Sequence, residues 1–345
     1  MMQKNGRWAF RYSIALSMLL AAASLVHAQT EAPVESKPAA PATPANRTAA
    51  GLPAGVTAMK NVVYAEVGSR ALKIDLFLPA NDADKPATPR PIVLWIHGGG
   101  WEGGSKERAP GTELLRRGYV VASVEYRLSG VAPFPAQIYD CKGAVRWLRA
   151  HAAEYGIDPN RVGVWGASAG GHLAALLGTT AGMKDLEGDV GGNLNQSSRV
   201  QAVVDWFGPT DLVSISVPGD PKNPDTKQLS DVGRTVVERF LGGSLADKRS
   251  TYELASPITH VSADDAPTLI MHGDADPLVP LSQSKSLETR LKAAKVPVEL
   301  DVIKGAGHGS LGPTATARVA DWFDEYLKKK PADKPAAEKP AASPK

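Results

Sequence analysis

The chain repeatedly sets short, almost wholly apolar runs beside segments of helical periodicity. The run PIVLWI at 91–96 contains no polar side chain, as a strand buried on both faces requires. Strand-like runs recur at 119–124, 161–165, 200–207, 268–271 and 298–303. Helix-like segments lie among them at 114–117, 136–151, 169–177, 281–294 and 314–327. In the longest of these, Ile138, Cys141, Val145 and Leu148 fall at helical spacing, and arginines with His151 suit its C-terminus. Strands alternating with helices specify an α/β architecture: a mostly parallel central sheet with helices on both faces. Two strand-like runs at 62–67 and 72–78, joined by Gly68-Ser69-Arg70, predict an antiparallel N-terminal hairpin. The alternation is interrupted between 209 and 260 by the stretch PGDPKNPDTK and a helix-like 232–241. This reads as an insertion over one end of the sheet, either a cap or a loop.

The two ends do not belong to this pattern. Residues 1–28 carry Lys4, Arg7 and Arg11, then an apolar stretch from Ile14 to Val26, then Val26-His27-Ala28. That order is the order of a secretory signal, with an uncleaved anchor as the alternative. It implies a periplasmic or secreted protein with no integral membrane span once the signal is removed. The Ala/Pro-rich 29–52 and the Lys/Pro/Ala-rich 328–345 read as disordered, which leaves 53–327 as the folded domain.

Composition narrows the function. Hydrophobic residues at 43% and charged residues at 22% exclude a wholly disordered chain. The net charge of +3 is carried by the ends, +3 over 1–28 and +4 over 328–345. Residues 29–52 are neutral, so 53–327 stands at −4, which argues against a nucleic-acid partner. The one cysteine, Cys141, excludes an internal disulfide framework and a CxxC site, and burial is its expected state.

Four motifs carry chemistry. Gly166-Ala167-Ser168-Ala169-Gly170 is a G-x-S-x-G placed directly after a strand and before a helix. The turn there is so tight that its flanks favour glycine, and it lifts the serine hydroxyl above the C-terminal edge of the sheet. His97-Gly98-Gly99-Gly100-Trp101 ends the buried strand 91–96. Glycine backbone lets N–H groups approach the carbonyl oxygen that turns negative during acyl transfer, and the Ala169 amide would be a further donor. The third motif, HGDADPLVP at 272–280, follows the strand-like 268–271, and the fourth, GAGHG at 305–309, follows 298–303. A serine hydroxyl needs an imidazole to take its proton, and the imidazole needs a carboxylate to fix its tautomer. Ser168, Asp276 and His308 stand in that order, with Asp274 as the alternative acid. His172 on the nucleophile's own helix and His272 at a strand end read as structural. The scattered histidines have no zinc-ligand spacing, and no phosphate-binding glycine pattern is met, so no metal and no cofactor are implied.

Together the four motifs, over roughly residues 60–327, resemble the α/β-hydrolase superfamily. The HGGGW and GASAGG pair is similar to hormone-sensitive-lipase-like esterases. VEYRL at 124–128, the run from FPAQIYD to GHLAALL and DWFGPTDL at 205–212 are similar to bacterial feruloyl and acetylxylan esterases. The resemblance implies Ser168 as nucleophile, Asp276 as acid and His308 as base. It implies the Gly99, Gly100 and Ala169 amides as an oxyanion hole, and Trp101 as a wall of the substrate cleft or a packing residue. The expected activity is serine carboxylic-ester hydrolysis through an acyl-enzyme, on a small-molecule or polysaccharide-linked ester such as an acetyl or feruloyl ester. The alternative is a peptidase of the prolyl-oligopeptidase kind.

Overall fold

The structure is a computed structural model and describes residues 52–79, 88–107, 109–217, 230–309 and 311–328. The signal-like 1–28, the linker up to 51, the PGDPKNPDTK stretch and the tail from 329 onward lie outside the described residues.

Among the described residues eight strands form one sheet: β1 (Thr57–Val67), β2 (Arg70–Leu78), β3 (Arg90–Ile96), β4 (Val120–Val124), β5 (Ile157–Ala167), β6 (Ala202–Trp206), β7 (Thr268–Gly273) and β8 (Val298–Ile303). Their spatial order is β1-β2-β4-β3-β5-β6-β7-β8. From β4 to β8 all pairings are parallel, whereas β2 runs against both β1 and β4. The antiparallel hairpin is present, but it begins at Thr57, five residues before the first strand-like run. Register breaks between Met59 and Val62 and between Val63 and Ala65, with Asn61 at φ 60, disrupt the period-two signal there.

Successive residues of the inner strands face opposite layers. Ile92, Leu94 and Ile96 join an apolar cluster with Ile138, Cys141, Val145, Leu173 and Leu176. These helical residues come from α2 (Ala136–Ala150) and α3 (Ala169–Thr179). Val93 and Trp95 point the other way, into a cluster with Leu114, Leu115, Val319, Trp322 and Phe323 from α1 (Thr112–Arg116) and α9 (Pro313–Phe323). Burial on both faces explains the continuous apolar runs. Cys141 is free and buried, as its place on the apolar stripe of α2 requires.

The other α-helices among the described residues are α4 (Lys184–Glu187), α5 (Leu212–Ser216), α6 (Asp231–Leu241), α7 (Leu245–Ala255) and α8 (Leu281–Ala293). Three of them, α5 to α7, come from the interrupted region 209–260. Of these only α6 has an apolar periodicity plain in the sequence; α7 carries a non-helical residue at Lys248 that breaks its pattern. Among the described residues no helix is long and apolar enough to cross a membrane.

Candidate active site

One residue separates β5 from α3, and that residue is Ser168. Its backbone sits at φ 56 and ψ −122, a conformation that costs a non-glycine residue about 1–3 kcal/mol. The neighbours impose it. A Cβ at Gly166 would collide with the carbonyl of Gly170, and a Cβ at Gly170 would collide with the carbonyl oxygen of Ile96 on β3. The Ser168 N–H donates to Trp206 O at 2.8 Å, and Ser168 O accepts the His172 N–H at 2.9 Å. The strand therefore turns into the helix within one residue.

The base and the acid arrive from the loops after β8 and β7. His308 Nε2 lies 2.8 Å from Ser168 Oγ, and His308 Nδ1 lies 2.7 Å from Asp276 Oδ2. Asp276 Oδ1 accepts the N–H groups of Leu278 at 2.8 Å and Val279 at 3.0 Å. Burial alone would raise the pKa of this carboxyl. Hydrogen bonds from His272, His308 and the two amides outweigh burial and hold it well below the usual carboxylate range. An ionised carboxylate only accepts, so His308 carries its proton on Nδ1 and turns the Nε2 lone pair toward the serine O–H.

The rival residues lie elsewhere. Asp274 Oδ1 accepts the Gly305 N–H at 2.6 Å and braces the acid loop against the base loop. His172 accepts the Trp101 indole N–H at Nδ1 (3.2 Å) and donates from Nε2 to Ala255 O (2.7 Å). Burial lowers its pKa from 6.5 to about 4. His97 packs its ring on Tyr126 at 4.4 Å, with Nδ1 2.9 Å from Gly98 O. His151 and His260 are engaged with the carbonyls of Trp147 and Leu254.

The glycine loop after β3 lies flush on the serine turn. A Cβ at Gly98 would stand 2.7 Å from Ala167 O and 3.3 Å from Ser168 Cβ. Gly99, Gly100 and Trp101 all have positive φ, at 119, 60 and 57. Gly99 O accepts the N–H groups of Glu102 (3.1 Å) and Gly103 (3.0 Å), which closes the loop on itself. Among the described residues none accepts from the N–H groups of Gly99, Gly100 or Ala169. Gly100 and Ala169 line the same cavity as Ser168, so amides without an acceptor border the space above the hydroxyl.

A cavity of about 260 Å³ opens over Ser168 and His308. Its walls are Val232, Val236 and Val237 of α6 together with Leu278 and Val279 of the acid loop. Trp101 borders it but is 3% exposed and stacks on Phe240 at 4.2 Å, so most of its indole is spent on packing. A larger concavity of about 800 Å³ lies beyond the acid loop and reaches neither Ser168 nor His308.

Three contributions are hard to see in the sequence. The α6 wall is one; its trace is Val232 and Val236, which lie off the face that carries buried Val237, Phe240 and Leu241. Phe207 is another: at φ 44 its ring packs 4.6 Å from that of His308, while Asp205 holds the turn by accepting the Gly208 N–H at 2.8 Å. The third is His272, buried as expected but also in contact with the acid.

The sheet order, the strained serine between β5 and α3 and the chain order Ser168–Asp276–His308 are those of an α/β-hydrolase. Residues 74–291 match the family described as BD-FAE, and the chain belongs to that family. It is 33% identical over 246 residues to Esterase LipC of Mycobacterium tuberculosis, covering 68% of this chain and 58% of LipC. It is 31% identical over 273 residues to the probable carboxylic ester hydrolase LipM of the same organism, covering 77% of this chain and 60% of LipM. The chain thus spans less than two thirds of the length of these relatives. A truncated carbohydrate esterase from gut microbiota superposes with a TM-score of 0.69 at 32% identity, over 84% of this chain and 99% of that one. Esterase 2 of Thermogutta terrifontis, in a form phosphonylated by sarin, gives 0.62 at 29% identity, over 77% and 93%.

Proposed function

We propose that the chain is an exported serine carboxylic-ester hydrolase acting through a covalent acyl-enzyme. One observation carries the reading: His308 bridges the Ser168 hydroxyl at 2.8 Å and the buried Asp276 carboxylate at 2.7 Å. His308 takes the hydroxyl proton as Ser168 Oγ attacks the ester carbonyl. Asp276 steadies the imidazolium that results, and the oxyanion accepts hydrogen bonds from the amides of Gly99, Gly100 and Ala169. The intermediate collapses, the alcohol leaves with the proton of His308, and water then repeats the sequence on the acyl-serine. The amides hold charge that exists only around the transition state, so their contribution falls on kcat.

The likeness to a carbohydrate esterase supports a sugar-linked ester as the substrate, and the small apolar cavity beside Ser168 supports a compact acyl group such as acetyl. Export rests on the signal-like 1–28. A peptidase draws no support from relatives that are named esterases. Ser168→Ala is expected to lower kcat on p-nitrophenyl acetate by about 10⁶ and to abolish labelling by a fluorophosphonate probe. Turnover by Ser168→Ala close to that of the parent would refute the mechanism. A panel of acetyl, butyryl, octanoyl and feruloyl esters reads the acyl preference, expected to favour acetyl.

A further inference from the structure

The acid is touched by a second imidazole. His272, near the end of β7, is fully buried. Its Nε2 lies 3.0 Å from Val279 O and 3.3 Å from Asp276 Oδ2. Both of these oxygens are acceptors, so Nε2 carries a proton. Its Nδ1 lies 2.7 Å from the hydroxyl of Ser284, itself fully buried in α8, which fixes the plane of the ring. Asp276 Oδ2 thus faces two imidazoles, His308 at 2.7 Å and His272 at 3.3 Å, the latter with its N–H also engaged by Val279 O, while Oδ1 takes two backbone N–H groups. A carboxylate that serves one catalytic base needs only one of these imidazoles.

We propose that His272 is a positioning residue: locked by Ser284, it shares its imidazole N–H between Val279 O and Asp276 and thereby sets the pH at which His308 becomes a competent base. The proposal rests on the triad reading above. Its physical content is competition. Negative charge already committed to a His272 N–H is less available to the Nδ1–H of His308, so the imidazolium of His308 is held less strongly. A less stabilised imidazolium loses its proton at lower pH, and the base works further into the acid range. The other neighbours are accounted for. His308 faces Asp276, Ser168 and the Phe207 ring. Asp205 on β6 also interacts electrostatically with His272, while Asp274 is turned to Gly305.

The test is the pH profile of kcat/KM on p-nitrophenyl acetate for the full chain and for His272→Leu, His272→Gln and Ser284→Ala, with Ser168→Ala as control. In His272→Leu the acid limb should move to higher pH by about half a unit to one unit. His272→Gln, whose amide N–H can stand where Nε2–H stood, should keep the limb of the parent. Ser284→Ala, which frees the ring, should move it in the same direction as His272→Leu but by less. Lower kcat or melting temperature with an unmoved limb in both His272→Leu and Ser284→Ala would overturn the proposal and leave His272 a packing residue. If His272→Leu does not fold, Ser284→Ala decides by itself. Parent-like turnover by Ser168→Ala is a separate outcome, which removes the triad reading and this proposal together.

Discussion

The two halves of the site are held in place by different physics. On the serine side, backbone packs against backbone. Gly98, Gly166 and Gly170 occupy positions where a Cβ would collide with or crowd a carbonyl of the adjoining segment, and Ser168 is held at positive φ between them. On the acid and base side, side chains hold one another. Asp276 is held by His308 and two amides with His272 against it, and Asp274 ties one loop to the other. A site fixed by close backbone contact tolerates no added atom. A site fixed by hydrogen bonds tolerates atoms but not the loss of a donor or acceptor.

After the loss of Ser168 itself, the largest expected effect breaks the hydrogen-bonded half. Asp276→Asn keeps the shape but presents the wrong hydrogen-bonding partner to His308 Nδ1, so kcat should fall by about 10⁴ with little change in fold, read by steady-state kinetics and circular dichroism. Gly170→Ala breaks the packed half. Its Cβ would collide with Ile96 O and stand 2.6 Å from His97 O, so unfolding free energy should drop by more than about 4 kcal/mol in urea melts. By contrast, a Cβ at Gly305 (φ 73), next to the base loop, meets nothing within 4 Å, and Gly305→Ala should cost only about 1–2 kcal/mol.

Acid separates the halves as well. His172, under the serine helix, is held neutral by burial, its pKa lowered from 6.5 to about 4. Its stabilising contribution is complete above 6.5 and is lost as pH falls from there toward 4, amounting to about 3 kcal/mol. Asp205, raised to about 6 by burial, works in the opposite direction, so the reading is the difference between the parent and His172→Gln in urea melts from pH 7 to 4. That difference should fall by about 3 kcal/mol, to the parent's disadvantage, between pH 6.5 and 4. Asp276, whose pKa is depressed, contributes fully above the ordinary carboxylate range and loses that contribution progressively as pH falls through that range toward its own lower pKa. The smallest effect is expected from Asp274→Asn, a few-fold in kcat/KM, because the side-chain amide oxygen can still accept from Gly305. A loss as large as that of Asp276→Asn would exchange the roles of the two acids.

Legibility in the sequence follows the same division. The packed half is written in local signals. Glycines at 98–100, 166 and 170 announce tight turns, and the runs at 91–96 and 200–207 announce strands buried on both faces. The hydrogen-bonded half depends on contacts across long stretches of chain. Asp274 and Asp276 are separated by one residue, and only the path of the loop turns one toward Gly305 and the other toward His308. No spacing rule shows that His272 reaches the acid, because the contact depends on how the 273–279 loop folds back over the end of β7. The sequence does not separate a cap from a loop at α6, because its amphipathic pattern shows that one face is buried but not against what.

The order of elements, the mostly parallel sheet, the strained serine turn and the set of residues able to form a relay follow from the sequence alone. Each is a consequence of hydrophobic period, glycine's freedom from a Cβ, or chain order, all of which act over a few neighbouring residues. The choice of acid, the second imidazole on it, the phenylalanine against the base and the valines that close the cavity were decided by tertiary structure. They are contacts between segments tens of residues apart or more, and a hydrogen bond forms only where two such segments come within about 3 Å in the right orientation.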